Sequence, residues 1–303
     1  MKTKRLLCSF LRLSVLLTGL VLLQIAGAPN TSAGALERLF VPKADTWSFW
    51  SQSGEAAGID HAPWQQFLHA RLHIGDDGIS RVAYSKVTAA ERNALRDYIH
   101  GLERIDIRDY RREEQLAFWI NLYNAATVNL VLEHYPVASI RDIDISPGFF
   151  SFGPWDKKLL HIEGQELSLN DIEHRILRPL WREPRLHYAL NCASLGCPNL
   201  QRDVFTAANM KALLDRSARE YVNHPRGVTI IDDELHVSSI YNWFREDFGG
   251  SEADVIEHLR AYAKPRLAAG LAGFSSIDDD WYDWALNDTM PVEANPVTED
   301  DFE

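Results

Sequence analysis

The chain has 303 residues, enough for one large domain with a small appendage. Its 46% hydrophobic content and nine tryptophans support a substantial core. Its 43 acidic against 31 basic residues, a net charge of −12, disfavour a nucleic-acid partner, because a negative surface repels phosphate.

The first 34 residues read as a secretory signal peptide. Lys2, Lys4 and Arg5 open it, and an apolar run follows from Leu6 to about Ile25. Small residues then cluster at Ala26–Ala28 and Ser32–Ala35. Export to the periplasm or the outside is therefore expected, with no membrane span left after cleavage. Removing this segment takes away four basic and no acidic residues and deepens the charge to about −16.

Residues 35–79 are expected to form a helical extension, with apolar pieces at Trp47–Trp50 and Trp64–Leu72. Ile79 to Val87 alternates as a short strand, and Thr88-Ala89-Ala90-Glu91 is a capping box that opens a helix to about Leu102. The strongest helix runs from Glu113 to His134 and stops at Tyr135-Pro136. It is apolar on every side, as a central buried helix should be. Ile145 to Trp155 reads as a loop, Leu159 to Leu167 as a hairpin, and Ser168 or Asn170 as the start of a helix that Pro179 ends.

Leu186 to Cys192 is expected to be a strand entering the turn Ala193–Pro198. Thr206 to Val222 is an amphipathic helix, and Val228 to Val237 a hairpin around Asp232-Asp233. Ile240–Phe248 and Val255–Ala263 are two more helices. The main domain spans 80–286, and 287–303 reads as an acidic disordered tail. Helices and hairpins in irregular order indicate a single α+β domain with small antiparallel sheets around a buried helix.

Candidate chemistry gathers at a few residues. Asn121 and Asn124 lie one turn apart on the most apolar helix, so each amide must bond something specific, a site or a neighbouring loop. Glu173-His174 sits within the helix after Leu169. A regular strand from His187 would turn His187 and Asn191 to one face and Cys192 to the other, which favours His174 as the partner of Cys192. Cys192 at a strand end, followed by small residues and Gly196, is a suitable place for a nucleophilic thiolate. A Cys192–Cys197 disulfide, a zinc site and inert thiols are the competing readings, although C-x4-C is a poor zinc spacing. Neither a metal nor a cofactor is expected, since no H-E-x-x-H, phosphate loop, G-x-S-x-G or G-x-G-x-x-G is present.

Four blocks in order carry a family resemblance. These are Phe118-Trp119-Ile120-Asn121-Leu122-Tyr123-Asn124-Ala125, Ile172-Glu173-His174-Arg175-Ile176-Leu177-Arg178, His187 through Cys192 to Cys197-Pro198, and Trp243-Phe244-Arg245-Glu246-Asp247-Phe248. Over about residues 80–250 the chain resembles the domain of unknown function numbered 547. The resemblance implies exported bacterial relatives and plant proteins that join the domain to a leucine zipper. In the plant branch it implies a cysteine at the first cysteine position and often a serine at the second, which makes Cys192 the functional candidate and Cys197 the dispensable one. A distant likeness to papain and transglutaminase folds is a loose analogy, because the nucleophile there opens the helix and this helix carries Asn121 instead.

The resulting expectation is an exported thiol-dependent hydrolase or acyl transferase acting on an amide or peptide. Cys192 is its nucleophile, His174 its base and Glu173 the orienting group. Asn121, Asn124, His187 and Asn191 line or support the site. The competing class is a non-catalytic envelope binding or assembly module with a structural Cys192–Cys197 disulfide.

Overall fold

The computed structural model describes residues 42–147 and 153–290. The expected signal peptide lies outside the described residues, as does the tail beyond Met290. The helix that begins at Thr88 is capped as its sequence indicates. The Thr88 hydroxyl accepts from the Glu91 N–H, and the Glu91 carboxylate accepts from the Thr88 N–H. Three helices then build the first part of the molecule: α1 (Ala62–Arg71), α2 (Ala89–Glu103) and α3 (Arg112–His134). α3 is buried from Gln115 through Val128 without interruption, and the structure bears out its expected central place.

Small antiparallel hairpins sit around this helix. β1 (Leu72–Ile74) pairs with β2 (Ser80–Val82), and β3 (Leu160–Ile162) with β4 (Gln165–Leu167). A π-helical turn, Asp171–Leu177, runs straight into α4 (Arg178–Trp181). Pro179 therefore does not end this helix; it lies in the first turn of α4, and the His174 and Arg175 carbonyls one turn before it accept from the Asp45 and Trp47 N–H groups instead. After α5 (Met210–Val222) come β5 (Val228–Ile231) and β6 (Glu234–Ser238), the hairpin expected around Asp232-Asp233. α6 (Ser239–Trp243), α7 (Glu252–Tyr262) and α8 (Pro265–Leu271) follow, and β7 (Asp279–Trp281) lies parallel to β6. The α+β class stands.

The apolar interior forms two clusters. One surrounds α3 and includes Trp50, Trp64, Trp119 and Phe205. Trp50 and Trp64 thus tie the N-terminal segment into the same core as the family-like region. The other joins Tyr188, Tyr221, Tyr241 and Phe248 to the β5–β6 hairpin and α7. The segment 186–193 contributes to both, with Tyr188 in the second cluster and Ala189 and Ala193 in the first.

That segment is not the expected strand. Pro184–Tyr188 is a 3-10 helix, opened by Glu183 accepting from the Arg185 N–H, and residues 189–193 are irregular. The reason lies on α3. Asn124 donates to the Ala189 carbonyl at 2.9 Å and accepts from the Asn191 N–H at 2.9 Å. One side chain supplies the backbone partners that a neighbouring strand would otherwise provide. Asn121 does the same one turn earlier, donating to the Phe205 carbonyl at 2.7 Å and accepting from its N–H at 3.1 Å. The first residues of the expected tail are packed in place: Asn287 and Asp288 are buried, and the Asn287 carbonyl accepts from the Val82 N–H.

Candidate functional site

The loop Asn191–Pro198 is held from three directions. Asn191 binds it from within, donating to the Pro198 carbonyl and accepting from the Ala193 N–H. The C-terminal segment binds it from outside: the Leu195 N–H donates to Ala285 and the Gly196 N–H to Asp283, each at 2.8 Å. A Cβ at Gly196 would lie 2.8 Å from the Asp283 nitrogen and 3.0 Å from the Tyr282 ring, so only glycine lets the strands of this clamp close. From the third side Tyr221 donates to the Gly196 carbonyl at 2.7 Å. One residue in the loop has an unusual backbone. Ala193, directly after Cys192, has φ 63°, the left-handed region that side chains with a Cβ avoid.

The clamp sets the Tyr282 hydroxyl against both sulfurs. Its oxygen is 3.2 Å from Cys192 Sγ and 3.0 Å from Cys197 Sγ, to which it donates. Ser194 Oγ is 3.3 Å from Cys192 Sγ and donates to Tyr282 Oη at 3.0 Å. Cys197 Sγ also accepts from the Cys192 N–H at 2.9 Å. Both cysteines are free thiols; Cys197 is buried and Cys192 partly exposed.

Their environments pull their acidities apart. Burial pushes the Cys192 thiol well above its ordinary value, and the adjacent Cys197 sulfur pushes it the same way. Burial acts on Cys197 too, but the hydrogen bonds it receives from Cys192 and Tyr282 outweigh it and bring the thiol down to about 6.

The histidines lie in a different cluster. Arg178 donates to His174 Nδ1 at 3.0 Å and pairs with Asp247, which also holds His187 Nε2 at 2.7 Å. Phe244 packs against both rings, its centroid 4.2 Å from that of His187 and 5.9 Å from that of His174. Burial keeps both imidazoles below their ordinary pKa, and for His174 the Arg178 charge adds to it. A guanidinium can only donate, so the His174 Nδ1 lone pair is occupied and the neutral ring carries its proton on Nε2. No hydrogen bond joins His174 or His187 to Cys192 among the described residues. Asp247 stays well below the usual carboxylate range, because His187 and Arg178 outweigh the cost of its burial.

Glu173 stands between these groups. It accepts from the Tyr123 hydroxyl at 3.0 Å, and its carboxylate lies 4.0 Å from His174 Nδ1. Burial raises it to about 7, against the pull of Arg178 and Tyr123.

The structure thus brings together Cys192, Cys197 and Asn191, and separately His174, His187 and Glu173. Asn121 and Asn124 clamp backbone on either side. Ser194, Arg226 and Tyr282 were not singled out in the sequence; Tyr282 stands 90 residues from Cys192, in a stretch without periodic pattern. No group of three His, Cys, Asp or Glu residues suited to a metal occurs among the described residues. No described helix is long and apolar enough to cross a membrane.

Residues 107–222 match the model of a family described as "Protein of unknown function, DUF547". The resemblance seen in the sequence is therefore supported over α3, the π turn, the cysteine loop and α5. Arg226 and Tyr282 fall outside the matched stretch. No curated protein and no solved structure matches the chain.

Proposed function

We propose that this chain is an exported thiol-dependent hydrolase or acyl transferase, acting on an amide or peptide-type bond through Cys192. The observation that carries this reading is the left-handed Ala193 immediately after a partly exposed cysteine. A residue held in that conformation costs roughly 1–2 kcal/mol and persists only where its surroundings impose it, which is common beside reactive groups. Here the Asn191 side chain and the C-terminal clamp impose it. The reaction class follows from sulfur chemistry: a thiolate attacks an acyl carbon, and the thioester then passes its acyl group to water or to an amine.

A p-nitrophenyl acyl ester tests this without knowledge of the natural substrate. Reduced full-length protein should release a burst of p-nitrophenol equal to its own concentration, with the acyl group mapped to Cys192 by mass spectrometry. Cys192→Ala should abolish the burst. Acylation no faster than that of free cysteine, or a burst that survives Cys192→Ala, would reject the reading.

A second reading has its own support. Both sulfurs bond the same tyrosine oxygen, so they lie no farther apart than two hydrogen bonds in series, and a local disulfide would fit an envelope binding module. Counting free thiols on protein recovered from its native compartment separates the two. Two reactive thiols favour acyl transfer, and none favours the module.

A further inference from the structure

Arg226 is only 5% exposed, and no ion pair joins it to a carboxylate among the described residues. It donates to the Leu195 carbonyl at 2.7 Å, within the cysteine loop, and to the Asn199 side chain. Its guanidinium lies 5.4 Å from the Tyr221 ring centroid. A buried cation without an anion is costly, so this arrangement calls for a negative charge nearby. Burial works against the Arg226 charge; the groups that favour it are Tyr221, Cys197, Tyr282 and then Asp77. Burial keeps Tyr221 and Tyr282 as neutral phenols, and Asp77 is already paired with Arg81. Cys197 Sγ has the surroundings of an anion, since it accepts from the Cys192 N–H at 2.9 Å and from the Tyr282 hydroxyl at 3.0 Å.

Two hydroxyls link the two sulfurs. Tyr282 donates to Cys197, Ser194 donates to Tyr282, and the Cys192 thiol has the Ser194 oxygen within reach at 3.3 Å.

We propose that Cys197 is the resting thiolate and proton acceptor of this site, taking the Cys192 proton along the Ser194 and Tyr282 hydroxyls. This rests on the reading of Cys192 as the nucleophile. As the Cys192 sulfur bonds to the acyl carbon, its proton moves to Ser194, that of Ser194 to Tyr282, and that of Tyr282 to Cys197. When the carbon–nitrogen bond breaks, the proton on Cys197 returns by the same path to the leaving amine. In the second half, water adds to the thioester and gives its proton to Cys197. The carbon–sulfur bond then breaks, the acid leaves, and Cys192 recovers its proton from Cys197. Tyr282 and Ser194 touch the reacting sulfur; Cys197 acts through them.

Other ionisable groups also sense the pair. Glu173 comes from the π turn, Tyr84 follows β2, Tyr123 lies on α3 and Tyr221 on α5. Burial keeps the three phenols neutral, and an ionised Glu173 would oppose the thiolate. Arg226 is the cation on the other side of that balance.

The test is the pH dependence of iodoacetamide alkylation on reduced full-length protein, with the modified residue mapped by mass spectrometry. Wild-type protein should be labelled at Cys192 with an inflection clearly below the about 8.5 of an ordinary thiol. Cys197→Ser should move the inflection to or above that value and cut the rate near pH 6.5 by roughly tenfold or more. Tyr282→Phe deletes only the hydroxyl, keeps the ring's packing on Trp243 and Trp284, and should shift the profile the same way. It decides the matter if Cys197→Ser folds poorly by circular dichroism. Ser194→Ala should shift it less, because Tyr282 also contacts Cys192 directly at 3.2 Å. A low inflection retained in folded Cys197→Ser, or in Tyr282→Phe, overturns the relay. Wild-type labelling on Cys197 alone, or no faster than a free thiol, instead rejects Cys192 as the nucleophile.

Discussion

Two buried clusters of polar side chains, one around Asp247 and one around the cysteine loop, are satisfied in different ways. Around Asp247, each charge has its opposite: Arg178 and His187 share the carboxylate, and His174 caps the guanidinium. Around the cysteine loop, Arg226 faces carbonyl and amide oxygens, and Ala193 is held in a left-handed turn. A closed ion-pair network can be taken as scaffold, since breaking it costs more than its presence gains. An arrangement in which a guanidinium has no carboxylate partner and a residue is strained must be stabilised by the rest of the fold, which is how reactive sites are built.

The sharpest way to break this comparison is to remove Asp247. Asp247→Ala should lower stability by about 3–5 kcal/mol, since it strands a buried guanidinium and an imidazole. That corresponds to roughly 10 °C in Tm by calorimetry. If the Asp247 cluster is scaffold, the pH profile of Cys192 alkylation in the folded variant should keep its inflection. An inflection displaced upward would mean that the histidines serve the thiol after all, and the division between the clusters would fall.

Asn121→Leu comes next in size. Leucine suits an apolar helix, yet it leaves the Phe205 N–H and carbonyl without their partner. A loss of about 2–4 kcal/mol is expected in denaturant unfolding. A tolerated substitution would mean that Asn121 lines a site instead of holding the chain before α5.

These two residues show what the sequence made legible. α3, the Thr88 capping box and the hairpins at 160–167 and 228–238 follow from periodicity and local turn chemistry, and all are present. The amides of Asn121 and Asn124 were conspicuous because nothing local could satisfy them on so apolar a helix. Their targets were not legible. Asn124 acts as a substitute strand for residues 189–191, and that contact replaces the strand that Leu186–Cys192 suggests. With the strand goes the period-two argument that turned His187 away from Cys192. The cysteine turn itself was readable from Asn191 to Pro198. Tyr282 and Arg226 were not, because they reach the loop from distant segments through tertiary contacts that leave no mark in spacing.

The smallest expected effect is a comparison of two alanines, both fully buried: Ala125 in α3 and Ala193 after Cys192. Replacing Ala125 by glycine removes a buried methyl, worth about 0.8 kcal/mol, and adds a helical glycine penalty of about 0.8–1 kcal/mol. A loss of roughly 1.5–2 kcal/mol is expected there. Ala193→Gly loses the same methyl and incurs a similar entropy cost, but it also relieves the left-handed backbone, worth roughly 1–2 kcal/mol. These contributions nearly cancel, so Ala193→Gly should be close to neutral in urea unfolding. The difference between the two substitutions measures the strain stored beside Cys192. If that strain positions the sulfur against Ser194 and Tyr282, the relaxed loop of Ala193→Gly should also alkylate several-fold more slowly near pH 6.5. Equal losses at the two alanines would mean that no strain is stored in the loop, and the contrast between a satisfied cluster and a poised one would rest on Arg226 alone.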